Sequence, residues 1–184
     1  SKTIKITVKS STTTSSGTYS DVSSADKKAV AWVTKKKIMT GINKTQFAPK
    51  AACTRGDVFI YLYRANCSPT VKIKNWFPDV KSTDPYYKAV LWAKKQDIID
   101  YGLFYGKDVC PKGYALYYVW LSAGLPKAKK SSSFTDFNPQ VFYADAVAWA
   151  EEKGIVKNSG NNRFGGDDAC TRADIAKYLY YAYK

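Results

Sequence analysis

"CTRGD" occupies residues 53–57 and "CTRAD" residues 170–174, more than a hundred positions apart. A weaker third copy, "CPKGY", lies between them at 110–114. Phe47, Phe104 and Phe164 each stand six residues before the cysteine, and Tyr61, Tyr118 and Tyr178 eight residues after it. Upstream, "YSDV" (19–22), "FPDV" (77–80) and "FTDF" (134–137) precede "AVAW" (29–32), "AVLW" (89–92) and "AVAW" (146–149). The same signatures in the same order, at a period near 57 residues, make this an internal triplication.

The 184 residues suffice for one domain with a sizeable core, and a 45% hydrophobic share is that of a globular chain. Twenty-nine basic against fifteen acidic residues give a formal charge of +14, which favours anionic partners. Charge alone leaves nucleic acid, anionic lipid and acidic polysaccharide open. Histidine is absent, which removes the commonest general base and metal ligand. Cys53, Cys67, Cys110 and Cys170 form no C-x-x-C pair, so no zinc site is expected. Three of them fill one equivalent position per repeat and read as small, buried, reduced apolar residues. The richest apolar run, "YALYYVWLSAGL" (114–125), is too short to span a bilayer. No signal peptide is visible, as in a chain processed or taken from within a longer one.

Residues 1–18 differ from the rest. Ile4, Ile6 and Val8 alternate with Lys5, Thr7 and Lys9, the pattern of a strand, and "STTTSSG" follows as a linker. This reads as the last strand of a preceding module or an arm on the main domain. From Tyr19 the pattern predicts an all-α fold with two helices per repeat, the repeats covering 19–67, 77–124 and 134–184. First helices are expected near 25–37, 84–96 and 140–153, with Asp84 as an N-cap before Pro85. Second helices are expected near 54–66, 111–123 and 171–183. Thr54 with Asp57, and Thr171 with Asp174, have capping-box spacing. In the middle copy Pro111 and Tyr114 take those places. The second helices are apolar almost all round, which suggests a central three-helix bundle of pseudo-threefold symmetry with the first helices outside it.

The order F-x-D-V, A-V-x-W, glycine, phenylalanine and T-R-A-E at a helix start resembles the S-layer homology domain, over residues 19–184. The resemblance implies a three-pronged spindle that anchors proteins non-covalently to bacterial cell walls. Its implied ligand is an anionic secondary cell-wall polysaccharide, often pyruvylated, held in grooves between prongs by the arginine of T-R-A-E. That arginine falls on Arg55 and Arg172, and on Lys112 in the middle copy. The glutamate becomes Asp57, Asp174 and Tyr114. The tryptophan is Trp32, Trp92 and Trp149; the leading aspartate is Asp21, Asp79 and Asp136; the glycine is Gly41 and Gly102, with the third copy extended. The implied protein is a monomeric, extracellular module of a larger surface protein.

A guanidinium donates two parallel hydrogen bonds to a carboxylate, which suits Arg55 and Arg172 to an acidic sugar. Free N–H groups in the first helical turn would add to this. Lys112 supplies charge without the fork, so the middle site is expected to be weaker. Each residue also has a structural reading: core packing for the tryptophans, an ion pair with Asp21, Asp79 or Asp136 for the arginines, and helix capping for those aspartates. "GGDDAC" (165–170) lacks the ligands of a calcium loop, and no metal or cofactor is expected. Among functions, a glycosidase would need a carboxylate pair at one site, whereas these aspartates recur singly. Nucleic-acid binding has charge but no motif. The principal alternative to wall anchoring is a structural or protein- or glycoprotein-binding adaptor with degenerate glycan grooves.

Overall fold

The computed structural model describes residues 19–184; the expected N-terminal strand and linker lie outside the described residues. Six helices follow in order: α1 (Lys27–Lys35), α2 (Arg55–Ala65), α3 (Tyr87–Lys95), α4 (Lys112–Ser122), α5 (Ala144–Glu152) and α6 (Arg172–Tyr183). The described residues are all-helical, joined by turns and isolated backbone bridges.

Local chemistry sets the starts of α2 and α6. The Thr54 and Thr171 hydroxyls accept from the N–H groups of Asp57 and Asp174, whose carboxylates accept from the threonine N–H groups in return. Pro111 opens α4 in an extended conformation without a side-chain cap. The outer helices start differently from expectation. Asp84 does not cap α3; its carboxylate accepts from the Lys81 N–H, and Tyr86 takes the cap position with no side-chain hydrogen bond. A turn over 84–87 therefore precedes the helix, and α3 begins later than the proline signal suggests.

Inner helices α2, α4 and α6 touch one another, and the outer helices pack on them out of sequence order. The main partner of α1 is α6, that of α3 is α2, and that of α5 is α4. Phe59, Leu62, Leu116, Val119, Ile175 and Leu179 fill the middle of the molecule. Over them the backbones of the three equivalent cysteines close a ring. Cys53 N–H donates to Cys170 C=O at 2.8 Å, Cys110 N–H to Cys53 C=O at 2.9 Å, and Cys170 N–H to Cys110 C=O at 2.8 Å. The thiols are unpaired and buried, while Cys67 is exposed. Burial pushes Cys53 and Cys110 up to about 12 and raises Cys170 well above its ordinary value.

Each outer helix ends on a left-handed residue: Lys37, Asp97 or Gly154. Gly41 and Gly102, expected to be equivalent, are not. Gly41 lies against the Tyr19 ring and donates to its hydroxyl, whereas Gly102 has φ +125° and faces open space.

Candidate functional site

The three leading aspartates act alike, and not as helix caps. Asp21 accepts from the N–H groups of Phe47 (2.9 Å) and Ala48 (2.7 Å). Asp79 accepts from Phe104 (2.8 Å) and Tyr105 (2.7 Å), and Asp136 from Phe164 (2.9 Å) and Gly165 (2.8 Å). Each carboxylate thus clamps the loop that leads to an inner helix. The second clamped residue is left-handed every time, at Ala48, Tyr105 and Gly165. The hydrogen bond from Phe47 holds the Asp21 carboxyl below its ordinary value. For Asp136 partial burial pushes upward, and the bonds from Phe164 and Gly165 outweigh it. With both oxygens turned onto backbone amides, these residues are occupied in structure rather than aimed at a ligand.

The cations of the T-R motif reach across to the next segment along the ring. Arg172 is a staple. Its Nε donates to Phe47 C=O at 2.9 Å, one terminal nitrogen to the Tyr61 hydroxyl at 2.8 Å, and the other to Thr40 C=O at 2.5 Å. The guanidinium also lies over the Phe47 ring, 4.6 Å from its centroid. Arg55 has the same aromatic bed, 5.0 Å from Phe104 and 5.4 Å from Tyr118, but its Nε is buried without an acceptor. Lys112 sits 3.7 Å from Asp168, which Arg163 grips with both terminal nitrogens at 2.7 and 2.9 Å. None of these cations pairs with Asp21, Asp79 or Asp136 among the described residues.

Free amides at the inner-helix starts, expected as anion donors, are absent. The N–H groups of Arg55, Lys112 and Arg172 donate to the carbonyls of Asp108, Asp168 and Ala51. Those of Gly56, Gly113 and Ala173 donate to Gly106, Gly166 and Pro49. Each loop brings two carbonyls to the next helix terminus, so the contact between segments consumes the donors that a ligand would need. The tryptophans are similarly committed. Trp92 and Trp149 are 3% and 4% exposed, out of reach of a sugar ring. Trp32 is half-buried, edge-on to Tyr180.

The open space lies elsewhere. A groove of about 390 Å³ runs from Lys112 past Phe164 and Tyr178 to Tyr180, between α6, the start of α1 and the loop after α5. Five cations line it, Lys28, Lys112, Lys157, Arg163 and Lys177, against two carboxylates, Asp26 and Asp174. Lys177 lies 3.5 Å from Asp26 and 3.7 Å from Asp174. Lys28 and Lys157 have no ion-pair partner among the described residues. The groove therefore opens beside the residue expected to make the weakest site. Lys28 comes from the first segment and Lys157, Arg163 and Lys177 from unrelated positions of the third, so no repeated motif could have pointed to them.

The S-layer homology domain model matches residues 18–59 and 133–176. These two segments belong to the S-layer homology family. No curated protein matches it. Members of this family are non-catalytic modules that anchor proteins to secondary cell-wall polymer, and membership places the chain at the bacterial cell surface. No helix among the described residues is long and apolar enough to cross a membrane.

Proposed function

We propose that this S-layer homology module retains a bacterial surface protein by binding an anionic, pyruvylated secondary cell-wall polysaccharide in the grooves between its segments. Residues 77–124 are read as a diverged middle repeat, so that three repeats form a pseudo-threefold spindle around α2, α4 and α6. The hydrogen-bonded cysteine ring supports this symmetry. The observation that carries the functional reading is the groove at Lys112. Five cations outnumber the two lining carboxylates and Asp168, which pairs with Arg163 and Lys112, and leave it a positive field, while Tyr178, Tyr180 and Tyr181 give it aromatic walls. Lys28 and Lys157 offer charge with no competing ion pair. Arg55 is a second anion contact through its terminal nitrogens, its Nε being buried. Arg172 is assigned to structure.

The test is retention on protein-stripped wall sacculi, with and without the acidic groups of the polymer. Lys28→Ala with Lys157→Ala should weaken retention about tenfold, at roughly 0.5–1 kcal/mol per exposed charge contact, with helicity unchanged. Retention should fall with rising salt. Equal retention on walls stripped of their acidic groups would reject the reading.

A second reading, a protein- or glycoprotein-binding adaptor, draws on one observation. Tyr101, Leu103, Tyr105 and Val109 are all exposed on the single loop between α3 and α4. Binding to a surface protein that survives removal of wall carbohydrate would favour it.

A further inference from the structure

The middle copy departs from its neighbours at Tyr114, which stands where the other inner helices carry the capping acids Asp57 and Asp174. Those acids are tied into capping boxes; Tyr114 has no capping duty, because Pro111 offers neither a hydroxyl nor an N–H. Its ring is 38% exposed and packs edge-on against Phe142, 44% exposed, with centroids 4.7 Å apart. Phe142 meets Tyr117 at 4.9 Å, and Tyr117 meets Trp120 at 5.9 Å. In the other direction Tyr114 lies 6.4 Å from Tyr118, whose ring underlies the Arg55 guanidinium at 5.4 Å. The buried Tyr118 ring thus lies between the Arg55 guanidinium and a half-exposed, uncharged platform on α4 and the turn before α5.

We infer that Tyr114 and Phe142 form a stacking subsite for an uncharged sugar residue adjoining the acidic residue held at Arg55. This rests on the proposed anionic-polysaccharide reading and extends it along the polymer. Pyranose rings present C–H faces that match aromatic rings, and such contacts need no charge, which these rings do not supply. Proximity to Arg55, across the single Tyr118 ring, makes the occupant a neighbouring unit of the same chain. A one-residue acidic sugar reaches only the guanidinium; a longer fragment reaches both. The subsite would therefore discriminate polymers by what flanks the acid, a selectivity that charge alone does not provide.

The experiment measures binding of two probes, a pyruvylated monosaccharide and a short wall-polymer oligosaccharide, to the unaltered chain, to Tyr114→Ala/Phe142→Ala and to Tyr114→Gln. The oligosaccharide should bind the double variant about tenfold more weakly and Tyr114→Gln several-fold more weakly. The monosaccharide should bind all three alike. Unchanged oligosaccharide affinity in either variant overturns the subsite while leaving the anionic reading in place. Equal losses for both probes overturn it too, since the rings would then merely position Arg55. If the unaltered chain binds neither probe, the anionic reading fails and the subsite with it.

Discussion

Arg55 and Arg172 are the same residue type in the same motif, yet they are employed differently because of what faces them. Arg172 meets two carbonyls and a hydroxyl from the α1–α2 segment, and each nitrogen of its guanidinium donates to one. Replacing it with alanine strands the Tyr61 hydroxyl and both carbonyls and removes the cover from Phe47. Hydrogen bonds to a charged group contribute roughly 1.5–3 kcal/mol when the partners are part-buried. Arg172→Ala should therefore lower the thermal midpoint by about 4–8 °C at roughly 2–4 °C per kcal/mol, read by circular dichroism. Arg55→Ala removes no comparable set and should shift it less. The residue types of the motif were legible in the sequence, and with them the expectation of a cation at each junction. Which cation was free was not, because two of the three acceptors that occupy Arg172 are main-chain carbonyls whose positions depend on the turn after the outer helix.

At the scale of elements, each junction depends on what stands at the cap of the outer helix. Tyr86 and Tyr143 wedge their rings between two glycines apiece, Gly56 and Gly106 for the first, Gly113 and Gly166 for the second. A Cβ on Gly56 would come within 2.4 Å of the Tyr86 ring, and one on Gly113 within 2.6 Å of Tyr143. At the junction between α6 and α1 the cap residue is Asp26, which has no ring, and the inner helix accordingly carries Ala173. Gly56→Ala should destabilise by about 1–3 kcal/mol, as overpacking does. The same substitution in a Tyr86→Ala background should cost much less, a coupling that urea titration of the double-mutant cycle would measure. Equal costs in both backgrounds would refute the wedge. Helix number and type were readable from apolar periodicity and the two capping boxes. The pairing of outer with inner helices was not, since the amphipathic face of α1 does not encode which inner helix will cover it.

On the scale of the whole molecule, the three axial thiols should be chemically silent. Burial raises each far above the pH of ordinary labelling, and only the thiolate reacts. A thiol reagent at pH 8 should rapidly modify Cys67 alone in the folded protein and all four cysteines in denaturant. Rapid modification of a second cysteine under native conditions would show that the centre is accessible. The surplus of positive charge, visible in composition, becomes specific only when α1, α6 and the loop after α5 converge on one groove.

The cysteine main-chain cycle has a further consequence. A linear array of repeats frays from its outermost unit, because that unit has one neighbour. Here the last helix is the main partner of the first, and every segment is gripped on two sides. Among the described residues no segment is terminal, so melting cannot begin at an end and progress inward. The assembly should come apart in a single concerted step.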